Sequence, residues 1–237
     1  MIYSVSKRVT KALAVAVVLV GFAVATPAQN KSRMQDAARH ASDAAKVFTE
    51  IMNVRDKAIP KELLDKAEAI AVFPGVIKAA FIFGGRGGQG LISKRQKNGW
   101  SAPAFFNLSG GSFGAQIGAQ KNDYVFLIMN QDGVKGLLED KFELGGEAGI
   151  VAGPVGREAA ASTNVTLDAG ILSYSRSKGA FIGAALKGVA ISPDNNLNEA
   201  VYNMKAKELL TGKPMTLGEM PASVRIFPRT LARYSIR

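Results

Sequence analysis

Apolar and small residues recur at alternating steps of four and three across residues 34–56. This spacing places them on one face of a helix, while charged residues occupy the opposite face. The apolar positions are Met34, Ala38, Ala41, Ala45, Phe48 and Met52. A second helix is predicted after Pro60, because proline is favoured at helix starts and strong helix formers follow it. The pattern therefore predicts an N-terminal helical segment over residues 34–68.

From Ala69 onward, the chain consists of short apolar runs separated by glycines. The runs are rich in β-branched and aromatic residues, which is typical of strands joined by tight turns. Glycines inside such runs indicate bends, bulges or close approach of backbones in a curved sheet. Helices are predicted at residues 133–139, capped by Asp132, and at residues 197–210, ending at Gly212. The predicted fold class is α+β, with a curved, mainly antiparallel sheet or partly closed barrel and flanking helices.

Residues 1–28 are predicted to form an export signal. Three cations precede a 14-residue apolar run, residues 12–25. The run is too short to span a bilayer comfortably and ends in small residues, so cleavage after Ala25 or Ala28 fits equally well. An uncleaved anchor is the alternative. Export predicts a location in the periplasm or cell envelope, peripheral to a membrane.

The charge balance favours anionic partners. The chain has 30 Lys and Arg against 19 Asp and Glu, and removing the three cations of the signal leaves 27 against 19, or +8. Anionic partners include nucleic acid, phospholipid headgroups and acidic polysaccharide, and export argues against nucleic acid. The chain has no cysteine, so disulfides and a lipid anchor on an N-terminal cysteine are excluded. Residues 31–212 are predicted to form one globular domain with a packed core.

The last 25 residues, 213–237, are predicted to be a basic C-terminal tail. Arginines recur at four-residue intervals from Arg225 to Arg237, and Pro228 prevents one continuous helix across them. The tail either packs on the domain as an extended segment or lies on an anionic surface. In the second case the inserted side chains would be Ile226, Phe227, Leu231 and Tyr234.

The run FGGRGGQG, residues 83–90, contains the spacing G-x-G-x-x-G. In dinucleotide-binding folds this motif opens a helix whose N-terminal amides bind the pyrophosphate. Here another strand-like run follows, and no acidic residue occurs from Gly90 to Gln120. A nucleotide site is therefore not predicted. The run is interpreted as a hairpin with glycines at positive φ and Arg86 at its tip.

The sequence predicts no enzyme activity, no cofactor and no metal site. With one histidine, His40, and no cysteine, thiol nucleophiles, thiolate metal sites and His-rich zinc sites are absent. Carboxylate pairs such as Glu143 with Glu147 fall among Lys and Arg and are interpreted as solvated. A hydrolase that uses such carboxylates is the least favoured alternative.

Several cations lie in or beside apparent turns. Glycine neighbours let backbone amides approach a phosphate there, and arginine can bind its oxygens bidentately. The predicted headgroup-binding residues are Arg86, Lys94, Arg157, Arg176 and Lys178. For any one of them, a solvated cation that only aids solubility is the stronger interpretation. The cluster as a whole predicts binding of anionic headgroups.

The order of these features resembles the SYLF domain family, which is described as lipid-binding and also as actin-binding. The matching stretches are residues 59–90, 99–120, 123–157 and 171–191, and with the preceding helix the resemblance covers about residues 34–212. The most specific combination is FGGRGGQG followed by GPVGR, residues 153–157, and YSRSKG, residues 174–179.

The resemblance implies a non-enzymatic module that binds phospholipids through a basic surface and an amphipathic N-terminal helix. On this chain that helix would be residues 34–56, whose bulky apolar side chains are Phe48, Ile51 and Met52 near one end. The expected function is a lipid-binding protein of the cell envelope that contacts anionic phospholipid headgroups through basic turns and glycine-rich strands. The alternative is a structural protein that docks on an envelope protein partner.

Overall fold

A curved antiparallel sheet with helices on both faces forms the fold, which confirms the predicted fold class. The structure is a computed structural model that describes residues 27–54, 58–80, 83–113, 118–144, 149–156, 170–177, 180–184, 186 and 188–235. Residues 1–26 of the predicted export signal lie outside the described residues, as do Arg157 and Lys178. None of the described helices is both long enough and apolar enough to span a bilayer.

Ten strands form the sheet within the described residues. They are β1 (Ala69–Ala80), β2 (Phe83–Gln96), β3 (Gly99–Trp100), β4 (Ala104–Phe113), β5 (Gly118–Ile128), β6 (Phe142–Leu144), β7 (Ile150–Ala152), β8 (Ile171–Ser177), β9 (Ala180–Gly183) and β10 (Val189–Pro193). Their spatial order is β6-β10-β4-β2-β1-β5-β8-β7, with β3 beside β2 and β9 beside β8. Only the pair of β7 and β8 is parallel in the described sheet. The eight strands of the main path curl into a nearly closed, barrel-like arrangement.

Six α-helices lie in the described part of the chain. They are α1 (Pro27–Met52), α2 (Lys61–Lys66), α3 (Gln131–Leu137), α4 (Asn195–Tyr202), α5 (Ala206–Thr211) and α6 (Ile226–Tyr234). Buried residues of α1, α2, α4 and α6 share one hydrophobic cluster with one face of the sheet, which is called the α1 face below. Buried residues of α3 and α5 share a second cluster with the opposite face, called the α5 face.

Successive residues of the central strands contribute side chains alternately to these two hydrophobic clusters. In β1, Ile70 and Val72 belong to the cluster on the α1 face, whereas Ala71 and Phe73 belong to the cluster on the α5 face. Side chains of a strand point alternately to its two faces, so a strand covered on both sides must be apolar throughout. This explains why the strands read as continuous apolar runs.

Helix α1 packs on the sheet through a face that only partly matches the predicted apolar stripe. Ala41, Ala45 and Phe48 of the stripe are buried, whereas Met34, Ala38 and Met52 are half-buried. Ala37, Ala41 and Ala44 are fully buried, and their small side chains allow close contact with neighbouring elements. Phe48 and Ile51 are also fully buried. The bulky residues that would insert into a membrane are therefore occupied by protein contacts in this structure.

Two predicted helix details are wrong. The side chain of Asn130, not Asp132, caps α3 by accepting a hydrogen bond from the backbone N–H of Gly133 at 2.8 Å. The helix predicted at residues 197–210 is two helices, α4 and α5, because Asn203 adopts a positive φ of 54° and ends α4. Gly212 is the C-terminal cap of α5, as predicted.

The C-terminal segment folds into the domain. A short 3₁₀ helix, Ala222–Val224, leads into α6, which packs against α1. Phe227 and Leu231 are fully buried in the core on the α1 face, so they are not free to insert into a membrane. Pro228 lies in the first turn of α6, where its missing N–H breaks no helical hydrogen bond.

The run FGGRGGQG is not a hairpin tip. It forms the first half of β2 and pairs with β1 on one side and β4 on the other. None of its glycines has a positive φ. A Cβ atom at Gly88 would lie 2.8 Å from Val76 Cγ2, and one at Gly90 would lie 2.6 Å from Phe73 Cγ. These two glycines are required by close packing on β1, not by turn geometry or by a nucleotide.

Candidate functional site

Three neighbouring strands carry polar side chains at the same level of the α5 face, near one end of the sheet. Lys78 of β1 lies opposite Arg86 of β2 on one side and opposite Gln120 of β5 on the other. Opposite residues of antiparallel strands project on the same face, with Cβ atoms about 5 Å apart. Lys78 and Arg86, called the cation pair below, are therefore side by side, with an amide next to them.

The cation pair has no acidic partner among the described residues. Both residues are half-buried, and neither takes part in a salt bridge in the described part of the chain. The Nε atom of Arg86 is buried and makes no hydrogen bond to any residue that the structure describes. A buried donor without a partner costs about 1–3 kcal/mol, and like charges placed opposite each other on adjacent strands are destabilising. An anion bound between the two side chains would relieve both costs.

Glycine on β4 makes room for this arrangement. Arg86 lies opposite Gly110, and a Cβ atom there would lie 3.3 Å from Arg86 Cγ and 2.7 Å from the carbonyl oxygen of Gly188. Toward the core, the same face of β5 carries Asn122, whose Nδ2 donates to the hydroxyl of Tyr124 at 3.4 Å. The surface thus changes from cationic at the strand end to neutral polar and then to apolar.

The opposite face of the same strand ends carries an exposed apolar side chain, Ile77, next to a lysine. Ile77 is 58% exposed, and it lies opposite Gly87 on one side and Lys121 on the other. At Gly85 and Gly87, a Cβ atom would meet only a carbonyl oxygen at 3.9 Å, so these positions leave open space. Glycine backbone therefore borders Ile77 on the β2 side, and Lys121 borders it on the β5 side.

Arg176, a predicted headgroup residue, binds two carboxylates of the protein. Its Nη2 lies 2.7 Å from Asp123 Oδ2, and its Nη1 donates to Glu50 of α1. Asp123 Oδ1 also accepts a hydrogen bond from the backbone N–H of Gly75 at 2.8 Å, where β1 bulges. Burial lowers the pKa of Arg176, but its hydrogen bonds to Glu50 and Asp123 outweigh that effect and raise it. Arg176 therefore fastens α1 to the sheet and keeps its charge.

The other predicted headgroup residues do not come together with Arg86. Lys94 is half-buried on β2, eight residues away, which corresponds to roughly 26 Å along a strand. Arg157 and Lys178 lie outside the described residues. Headgroup binding by Lys94, Arg157 and Lys178 therefore stays a prediction. The residue that joins Arg86 is Lys78. Interpreting residues 83–90 as a strand antiparallel to residues 69–80, not as a turn, would have revealed the pair.

A cleft of about 410 Å³ lies between α1 and the α1 face of the sheet. Glycines 75, 87 and 88 contribute its floor, and its charged side chains are Asp43, Lys46, Glu50, Lys121, Asp123 and Arg176. Cations and carboxylates are balanced here, in contrast to the cation pair on the opposite face. The cleft therefore lacks the excess of one charge that would select an anion.

His40 lines the same cleft and is half-buried. Burial lowers the pKa of His40 and the charge of Arg39 lowers it further, although Asp36, Asp43 and a hydrogen bond with Gln89 act in the opposite direction. The imidazole is thus held neutral near pH 7. No group of three His, Asp or Glu side chains that could bind a metal occurs in the described part of the chain.

Comparison with known families identifies the domain. Residues 109–234, which is more than half of the chain, match the Ysc84 family model, described as "Las17-binding protein actin regulator". The chain belongs to the Ysc84 family. This assignment confirms the resemblance to SYLF domains. The region that matches the Ysc84 model extends through α6, in agreement with the buried position of that helix.

Relatives of this Ysc84-family chain include eukaryotic proteins that are longer than it is. LAS seventeen-binding protein 3 of Saccharomyces cerevisiae is 39% identical over 164 residues, which cover 67% of this chain and 36% of that protein. SH3 domain-containing YSC84-like protein 1 of Xenopus laevis is 30% identical over 212 residues, which cover 86% of this chain and 63% of that protein. The chain therefore spans about a third of the yeast relative and less than two thirds of the frog relative.

Proposed function

We propose that this Ysc84-family chain is a non-enzymatic binding protein that docks on anionic phospholipid surfaces through the strand ends that carry the cation pair. The observation that carries the proposal is that Lys78 lies opposite Arg86, half-buried, with no carboxylate partner in the described residues. A phosphate between them would accept charge-assisted hydrogen bonds from both side chains. It would also give the buried Nε of Arg86 an acceptor.

Two further features support a membrane surface as the source of the phosphate. Without the predicted export signal the chain has 27 Lys and Arg against 19 Asp and Glu, a formal charge of +8. Such a charge attracts it to anionic bilayers by about 1 kcal/mol for each cation near the surface. Ile77, exposed on the other face of the same strand ends, provides an apolar contact for the interfacial region. The strand ends thus combine both kinds of contact that peripheral proteins use.

The proposal retains Arg86 from the predicted headgroup residues and adds Lys78. Arg176 is assigned to the attachment of α1, because two carboxylates of the protein already neutralise its guanidinium. The location at a cell envelope rests on the export signal predicted for residues 1–28. Phospholipids of that envelope would then be the natural ligands.

A protein-binding role is the second candidate function. It is favoured by the family description, "Las17-binding protein actin regulator", and by the printed name of the yeast relative, LAS seventeen-binding protein 3. This role would use a broader surface than the cation pair alone, since a protein partner contacts a larger area than one phosphate.

The test is co-sedimentation of residues 29–237 with vesicles of phosphatidylcholine alone and with vesicles that also contain phosphatidylglycerol. The proposal predicts binding that requires the anionic lipid and weakens as salt is added, because salt screens exposed charges. Equal binding to both kinds of vesicle would contradict the electrostatic account. Binding to neither would favour the protein-binding role.

A further inference from the structure

A groove of about 470 Å³ separates α1 from the C-terminal segment that contains α6. Its apolar lining consists of Ala45 on α1, together with Ala222 and Ile226. Its cations are Lys46 on α1 and Arg229 and Arg233 on α6. The groove lies in the helical layer on the α1 face, whereas the cation pair projects from the α5 face. It is therefore a separate surface.

The groove carries an excess of positive charge. Arg229 and Arg233 are exposed, lie four residues apart on one side of α6, and make no salt bridge within the described residues. Among the described lining residues, Glu50 is the only carboxylate. It already pairs with Arg176 and lies 4.0 Å from Lys46 Nζ. Three cations thus face an opening that holds one neutralised acid.

The floor of the groove has room for an apolar side chain. Ile226 is 45% exposed, although Phe227 and Leu231 of the same helix are fully buried. The small side chains of Ala45 and Ala222 leave space next to it. Burying the exposed part of Ile226 against a partner side chain would be favourable, because it removes apolar surface from water.

We propose that this groove binds an acidic segment of a protein partner. One apolar side chain of that segment contacts Ile226 between the two alanines, and flanking carboxylates pair with Arg229, Arg233 and Lys46. The concave shape favours a polypeptide over a bilayer, because a peptide side chain can enter a groove between two helices and a flat membrane surface contacts only its rims. The proposal does not depend on lipid binding at the cation pair.

The test uses fluorescence anisotropy with a labelled short peptide of Glu, Ala and Leu, and a matched peptide in which Lys replaces Glu. The protein should bind the acidic peptide and not the basic one. The double change Arg229→Glu and Arg233→Glu should weaken binding by about tenfold or more, since charge pairs at an interface contribute on this scale. Ile226→Ser, which keeps all the charges, should weaken binding severalfold.

The matched control is Lys207→Glu with Lys213→Glu, which changes the net charge equally at exposed positions away from the groove. It should leave peptide affinity nearly unchanged. The proposal is overturned if the acidic peptide does not bind, or if this control weakens binding as much as the groove variant does. It is also overturned if the groove variant retains peptide binding and selectively loses binding to anionic vesicles, since the groove would then face a membrane. Thermal unfolding of each variant confirms that it is folded.

Discussion

Lys78 and Arg86 lie directly opposite each other on antiparallel strands β1 and β2, two half-buried cations on one face of the sheet. The described residues provide neither with a carboxylate partner. Such an arrangement lowers the stability of the free protein, since like charges on opposite residues repel. A local conflict of this kind is expected where a surface is shaped for a ligand of opposite charge.

The first prediction concerns the sign of a stability change. Replacing Lys78→Gln should raise the free energy of unfolding by about 0.2–1 kcal/mol, because it removes the repulsion with Arg86. The same change should weaken binding to anionic vesicles. Urea unfolding measures the first effect, and Lys207→Gln is the control for loss of a charge. A clear loss of stability in Lys78→Gln would show that the side chain has a structural role instead.

The second prediction concerns the attachment of α1 by Arg176. Arg176→Gln should lower the free energy of unfolding by about 2 kcal/mol, because Asp123, whose side chain is 17% exposed, loses a charged hydrogen-bond partner. A double-mutant cycle should give a larger coupling with Asp123 than with Glu50, whose side chain is 42% exposed. If Arg176→Gln keeps its stability and loses vesicle binding, Arg176 contacts headgroups, as the sequence predicted.

The third prediction tests whether a glycine of the sheet is required because a side chain would clash, or only because glycine has a flexible backbone. Gly90→Ala places a Cβ atom 2.6 Å from Phe73 Cγ, so we expect a loss of about 1–3 kcal/mol in the free energy of unfolding. Gly111→Ala places its Cβ atom in open space and should change stability by less than about 1 kcal/mol. Chemical denaturation of the two variants makes the comparison. Equal effects would contradict the packing explanation.

The fourth prediction is a pH dependence from His40. Burial lowers the pKa of this residue in the folded protein, so the unfolded chain takes up a proton more readily. The contribution of His40 to stability is therefore complete above pH 6.5, the ordinary value, and is lost as the pH falls from 6.5 through the lowered pKa. His40→Asn should flatten this part of a urea-unfolding series. An NMR titration that gives a pKa of 6.5 or higher would contradict this account.

Much of the fold follows from local patterns. The helix α1 can be predicted from the sequence alone, because apolar residues at steps of four and three indicate a helix with one buried face. The glycine-punctuated apolar runs likewise predict a curved sheet. The break at Asn203 is different, since both flanking segments have helical composition. Asn203 adopts a left-handed conformation that ends α4, and α4 and α5 then join separate cores.

The candidate site depends on contacts between residues that are far apart in the sequence, and local patterns do not reveal such contacts. Arg176 was predicted as a free cation, but its partner Asp123 lies 53 positions away and its partner Glu50 lies 126 positions away. Such contacts depend on strand order and on how α1 docks. The cation pair could have been predicted from the sequence. The glycines of residues 83–90 were interpreted as a turn, however, and this placed Arg86 at a tip instead of opposite Lys78.

The most direct test of the central claim compares two double variants in co-sedimentation with phosphatidylglycerol-containing vesicles. One carries Lys78→Gln and Arg86→Gln, and the other carries Lys207→Gln and Lys213→Gln, so both lose the same net charge. The account predicts that the first loses about tenfold or more in affinity, while the second loses much less. Equal losses, or binding retained in both variants, would contradict a phosphate site at the cation pair.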